Sequence, residues 1–196
     1  MLHTSAVLLA AGRSQRMVIQ KALLRWGAKT LLEYQLTQLA AVEGIDEIVV
    51  VTGYRAERLA PIIDRSTKAR AVHNAEWERG KAGSVRTGVA AVDAAANCIM
   101  LIAVDQPRPA MHLRELFAAH ERAGASITLP VHEGRRGHPL LFSRTLLPEL
   151  LAIDDAAMGV RAVVDRHSAE VNEVPFDDPI MTVDLNTPED FGNAGG

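Results

Sequence analysis

The stretch SAVLLAAGR, residues 5–13, is a short apolar run that stops at a glycine and an arginine. It shows no alternation of polar and apolar residues. Residues 5–10 therefore read as a strand buried on both faces, as parallel strands are. Similar runs follow at EIVVVT (47–52), RAVH (70–73) and CIMLIAV (98–104), the last being the most apolar and hence a central strand. Helical spacing fills the gaps between them. Thr30-Leu-Leu-Glu33 has the form of a capping box and opens a helix with Leu32, Leu36, Leu39 and Ala40 on one face. Further helices are predicted over 57–65 (despite Pro61), 84–95, 112–123, 146–151 and 159–166. Further strands are predicted over 127–129, 139–142, 169–174 and 181–183. Strands that alternate with helices in this way build an α/β fold, here a three-layer domain over 1–191 around a mostly parallel sheet, with 192–196 as a flexible tail. In such sheets ligands bind outside the carboxyl ends of the strands.

Composition excludes several alternatives. The chain has 196 residues, 48% of them apolar, and a single cysteine, so it is neither a disulfide scaffold nor a cysteine-based zinc protein. Its longest wholly apolar run, 98–104, falls far short of the ~20 residues that span a bilayer, and nothing before it reads as a signal peptide. A cytoplasmic location is the expectation. A net charge of −3 gives no support for a nucleic-acid or membrane-surface partner.

The charge is unevenly placed. Residues 12–29 hold Arg13, Arg16, Lys21, Arg25 and Lys29 with no acid, and residues 175–190 hold Asp177, Asp178, Asp184, Glu189 and Asp190 with no base. These are either two solvated faces or an anion-binding start and a cation-binding end. Gly12 directly follows the first strand, and the loop that begins there has the cations to cradle an anion; a plain turn with solvated bases is the simpler account. Neither GxxxxGK[ST] nor GxGxxG is present. Asp105, at the end of the most apolar strand, either caps the next helix or binds a hard cation such as Mg²⁺. Asp184 also ends a predicted strand, just before a helix start at Asn186-Thr187-Pro188, and is free to contribute to a metal site. Ser84, after Gly80-Lys-Ala-Gly, is either an N-cap or an anion contact. His138, in the turn Arg135-Arg-Gly-His-Pro139, is either structural or a substrate contact. Cys98 is expected to be inert. The histidines at 3, 73, 112, 120, 132 and 167 have no ligand spacing.

Taken in order, LAAGRSQRMVIQK, EIVVVTG, GKAGSVRTG, MLIAVDQP, GRRGHPLLF and DLNTPED resemble the molybdopterin nucleotidyltransferase family, within it the cytidylyltransferase branch. The resemblance covers nearly the whole chain. It implies a nucleotide-binding domain similar to GT-A glycosyltransferases, and transfer of CMP from CTP to a molybdopterin-type phosphate with Mg²⁺ and release of pyrophosphate. By position, Ala10, Ala11, Gly12, Arg13, Ser14, Arg16, Lys21 and Ser84 would hold the nucleotide, with Lys21, Arg16 and Asp105 catalytic. Asp105 and Asp184 would bind the metal. Arg136, Gly137, His138 and Pro139 would face the pterin. The Ala-Ala-Gly loop goes with CTP in this family and a Gly-Gly loop with GTP; the methyl of Ala11 leaves less room for a purine. A molybdoenzyme or its chaperone would be the protein partner. One residue departs from the pattern: Val18 stands where the family has glycine after Arg-Met. A β-branched residue resists the positive φ that glycine allows, so a remodelled loop is expected. The same fold hosts an oxidoreductase, nicotine blue oxidoreductase, that uses NAD(P)H on a pyridine-derived quinone, and this is the second reading. A sugar transferase is disfavoured, because the Asp-x-Asp of that class is replaced by Asp105-Gln-Pro.

Overall fold

The fold is described by a computed structural model covering residues 2–13 and 19–193. Its strands in chain order are β1 (Thr4–Leu9), β2 (Arg25–Trp26), β3 (Lys29–Thr30), β4 (Ile45–Thr52), β5 (Ala69–His73), β6 (Cys98–Ala103), β7 (Ile127–His132), β8 (Arg135–Arg136), β9 (Leu140–Ser143) and β10 (Val171–Pro175). Its helices are α1 (Leu31–Ala40), α2 (Ala60–Ile63), α3 (Lys81–Ala90), α4 (Ala110–Ala123), α5 (Leu147–Leu151), α6 (Val160–Arg166) and α7 (Pro188–Asn193).

The main sheet runs β10-β7-β9-β6-β1-β4-β5, with β8 paired to β7. β1 lies parallel to both β4 and β6, β4 to β5, and β7 to β10. Only β9 on the main path runs antiparallel to its neighbours, β6 and β7. The expected α/β architecture is thus observed. Two apolar clusters occupy the two faces. Ala6 and Leu8 of β1 join one with Leu32, Leu36 and Leu39 of α1 and Leu113 and Leu116 of α4. Val7 of β1 joins the other with Val85 and Val89 of α3 and Leu150 of α5. Alternate residues of one uniformly apolar strand feed both faces, which is why the strand lacks a polar alternation. Gly88 lets α3 lie flush on the sheet: a Cβ there would stand 2.3 Å from Val7 Cγ1 and 2.7 Å from Val51 Cγ2.

The capping box is present. The Glu33 side chain accepts from the Thr30 N–H at 2.7 Å, and Thr30 Oγ1 accepts from the Glu33 N–H at 3.2 Å. Cys98 is fully buried in β6, and burial pushes its thiol up to about 12, so it is inert as expected.

Several boundaries move for physical reasons. The strand expected over 181–183 is a 3₁₀ turn, Pro179–Thr182. Asp178 caps it by accepting the Ile180 N–H at 2.9 Å, and Pro179 starts it, so Met181 is buried by a turn rather than by a ladder. The helix expected over 84–95 starts three residues earlier, at Lys81, and ends at Ala90. The helix expected over 57–65 breaks into a 3₁₀ turn, Ala56–Arg58, and the short α2, whose first turn accommodates Pro61. Within the predicted basic loop, β2 and β3 form a small hairpin that the sequence did not announce. No helix among the described residues is long and apolar enough to cross a membrane.

Candidate active site

From β1 the chain moves outward to β4 and β5, then returns to β6 on the other side of β1. The two loops at the carboxyl ends of β1 and β6 therefore diverge and leave a crevice at the switch point. Both loops are held to the sheet: the Ala10 N–H donates to the Val51 carbonyl and the Val104 N–H to the Leu9 carbonyl, each at 2.9 Å. The crevice has a volume of about 570 Å³ and is lined by Ala10, Ala11, Gly12, Arg13, Lys21, Ser84 and Asp105, among others. The structure thus gathers there every described residue expected to hold a nucleotide. Ser14, Arg16 and Val18 lie outside the described residues.

Lys21 and Asp105 meet in this crevice. Lys21 Nζ donates to Asp105 Oδ2 at 2.7 Å and to Asn186 Oδ1 at 3.0 Å. Asp105 therefore does not cap α4, whose N-cap is Pro109. Asp184 is exposed and accepts from Gln106 Nε2 at 2.9 Å. Gln106 is itself fixed by the Ala103 N–H, which donates to its Oε1 at 2.9 Å. Asp105 and Asp184 stand on adjoining segments, since the Leu185 N–H donates to the Asp105 carbonyl at 2.9 Å. Among the described residues, no group of three or more His, Cys, Asp or Glu side chains is placed to hold a metal. The chain offers two carboxylates, and two carboxylates plus phosphate oxygens and water make the coordination Mg²⁺ prefers.

Gly12 does not adopt a left-handed φ, and nothing lies within 4 Å of where its Cβ would be, so it leaves open space in the crevice. Ser84 is not an N-cap. Gly80 precedes α3 with φ 128°, and Asp155 caps the helix by accepting the Ala82 N–H at 3.0 and 3.1 Å. Ser84 Oγ instead accepts from Asn74 Nδ2 at 3.0 Å in the crevice wall. Thr187 takes the cap of α7, exchanging bonds with Asp190 at 2.8 and 3.2 Å, which frees Asn186 for Lys21.

A second cavity of about 640 Å³ adjoins the first and shares Leu9, Lys81 and Ala103 with it. Arg136, Gly137 and His138 line it, while Pro139 is buried. Arg136 is tied to Glu173 at 2.7 Å. Gly137 is forced by close approach: a Cβ would stand 2.0 Å from the Met181 carbonyl oxygen. Burial brings the His138 imidazole down to about 4, with Lys81 and Arg108 adding to the fall and Asp184 and Asp105 opposing it, so the ring is neutral at pH 7. Leu129, Leu140, Val160, Val164 and Met158 make the rest of the walls largely apolar.

Arg108, Gln106 and Asp155 were not singled out in the sequence, and Asn186 was read only as part of a helix start. Arg108 is wholly buried and donates to three main-chain carbonyls, those of Pro107, His138 and Val183. Its only sequence signal is a charge between two prolines directly after the DQ pair.

A mostly parallel central sheet, a crevice of about 570 Å³ at its switch point and a carboxylate at the end of the innermost strand fit a nucleotidyltransferase of the nucleotide-diphospho-sugar transferase fold. The chain belongs to the family of the MobA-like NTP transferase domain, whose profile matches residues 6–171. It is 27% identical to the molybdenum cofactor cytidylyltransferase of Escherichia coli over 96% of this chain and 93% of that protein. It is 34% identical to the molybdenum cofactor guanylyltransferase of Rhizobium leguminosarum bv. trifolii over 97% of this chain and 90% of that one. Among solved structures, Rv0371c from Mycobacterium tuberculosis H37Rv superposes with a TM-score of 0.80 at 28% identity, covering 99% of this chain and 97% of that one. That protein has also been solved as a complex with manganese, which matches this chain with a TM-score of 0.76 at 26% identity.

Proposed function

We propose that the chain transfers CMP from CTP to the terminal phosphate of a molybdopterin-type acceptor, with Mg²⁺ as the metal. The observation that carries this reading is the Lys21–Asp105 pair in the switch-point crevice, with a second cavity directly adjoining it. The named relatives act on the molybdenum cofactor. The manganese complex of Rv0371c supports a divalent ion, and Asp105 and Asp184 would hold it. CTP is preferred to GTP because of the Ala10-Ala11-Gly12 loop. Ala11 is only 5% exposed, so its methyl acts mainly by packing the loop against the sheet.

The acceptor phosphate is already anionic, so no general base is required. One of its oxygens forms the new bond to the α-phosphorus of CTP, the α–β bridging bond breaks, and pyrophosphate leaves with the electron pair. Catalysis is then positioning and charge neutralisation. Each cation about 4 Å from a phosphate offsets about 4 kcal/mol at an effective dielectric near 20. Lys21, with Arg13 and Lys81 on the same crevice wall, would pair with the phosphates, and Asp105 would hold the metal. The metal would polarise phosphate oxygens and screen the two polyanions from each other. His138, neutral at pH 7, would hydrogen-bond the acceptor rather than move a proton. No observation of the site favours the NAD(P)H reading. A molybdoenzyme or its chaperone as protein partner follows from the proposed cofactor chemistry, and a cytoplasmic location from the single cysteine and the short apolar runs.

The deciding experiment incubates the protein with CTP or GTP, molybdopterin and Mg²⁺ and measures pyrophosphate. Metal-dependent release, larger with CTP, is the expected result. No release with either nucleotide, together with NADPH oxidation by a quinone acceptor, would overturn the reading.

A further inference from the structure

We infer that Arg108 is the positioning residue of this site, a buried strut that holds the segments carrying Asp184 and His138 against the Asp105 loop. Its side chain is 0% exposed, an unusual place for a guanidinium. Nε donates to the His138 carbonyl at 2.8 Å, one terminal nitrogen to the Pro107 carbonyl at 3.0 Å, and the other to the Val183 carbonyl at 2.9 Å. The three carbonyls belong to three separate segments: the loop after β6, the turn before β9, and the stretch after the Pro179–Thr182 turn. Val183 immediately precedes Asp184, and His138 lines the second cavity. The rigid planar fork of arginine reaches three acceptors at once, whereas a lysine ammonium is a single point on a flexible stem.

The surroundings explain why a charge is tolerated there. Burial lowers the guanidinium to about 10, while Asp184, Asp105 and Asp178 favour its charged form, so it stays a cation at neutral pH. The same segments are joined by the Leu185 N–H to the Asp105 carbonyl at 2.9 Å and by the His138 N–H to the Met181 carbonyl at 3.1 Å. Those two amides report directly on whether the segments stay docked. The role follows from the proposed function only in that the docked segments carry the acceptor and metal groups.

The test compares Arg108→Lys and Arg108→Met with the wild type. Amide hydrogen exchange is expected to speed up at least tenfold at Leu185 and His138, more in the Met variant, while Val50 and Met100 in the central sheet keep their protection. In turnover assays of Arg108→Lys, the Mg²⁺ requirement and the KM for molybdopterin are expected to rise about tenfold, with the KM for CTP changed less than twofold. In an Asp184→Asn background the Arg108→Lys effect on the Mg²⁺ requirement should vanish. Unchanged exchange at the two amides, or equal acceleration throughout the sheet, overturns the proposal, as does a metal effect that adds fully to Asp184→Asn. If Arg108→Met does not fold, the lysine variant alone decides. The exchange arm needs no activity, so a wild type that fails to transfer CMP defeats the functional reading and still leaves Arg108 judged.

Discussion

Lys21 Nζ stands 2.7 Å from Asp105 Oδ2, although the two residues are 84 positions apart. One comes from the 3₁₀ turn beyond the first loop, the other from the end of the innermost strand. Their side chains are 14% and 21% exposed, so the pair is largely shielded from water.

Lys21→Ala is expected to weaken CTP binding by about 2–3 kcal/mol, the scale of a charge-assisted hydrogen bond to phosphate. Titration calorimetry measures this, and an unchanged affinity would take the loop out of the nucleotide site.

Asp105→Asn keeps the shape and removes the charge. Transfer is expected to drop by about two orders of magnitude or more, as when a main electrostatic contact is lost. The assay is pyrophosphate release against Mg²⁺ concentration, with EDTA abolishing the wild-type rate. Near-normal turnover in the variant would mean that the carboxylate holds no metal.

Ala11→Gly relaxes the packing of the first loop. The ratio of kcat/KM for CTP over GTP should fall. An unchanged ratio would place base selection elsewhere in the crevice.

Gly137→Ala drives a methyl to 2.0 Å from the Met181 carbonyl oxygen and 2.8 Å from its carbon. The obstacle is backbone, so the turn must shift, at a cost of about 1–3 kcal/mol. Urea denaturation gives the loss. A variant as stable as the wild type would show that the two segments are not held together.

Stability should fall as pH drops from about 6.5 to 5. Burial lowers both His120 and His138, the latter to about 4, so the unfolded chain binds the more protons in this window. His167 works the other way, because Glu170 and Glu149 raise it and its contribution is lost as pH rises. His120, bonded to Thr128 Oγ1 at 2.8 Å, isolates the first effect. His120→Gln should flatten the pH dependence of the urea midpoint, and an identical slope would rule out this linkage.

The central strands β1, β4 and β6 were legible because each is largely a run of apolar residues with no competing signal, as in residues 98–104, whereas β2, β3 and β8, two residues each, carry no such run. The capping box of Thr30 and Glu33 was legible for the same reason: it is local chemistry. Met181 misled because it is as buried as a strand residue, yet Asp178 and Pro179 had already set a turn. The crevice residues came from the order of motifs, since loops at the ends of buried strands meet in space whatever their separation. Arg108 was missed because nothing local tells a buried arginine from an exposed one. Its partners are main-chain carbonyls, which carry no sequence signature. Asp155 caps a helix 73 residues away, a contact that only the packed structure defines.

Cys98 is the chain's single cysteine, enclosed in the central sheet with its thiol held far from ionisation. Thiol reagents at neutral pH will therefore pass over the native protein. A cysteine introduced at a surface position becomes the sole handle for a fluorophore or spin label, with no background substitution needed. Position 158, 61% exposed on the rim of the second cavity, offers one such handle. A probe attached there would respond to acceptor entering that cavity independently of turnover, and so would separate binding from chemistry in real time.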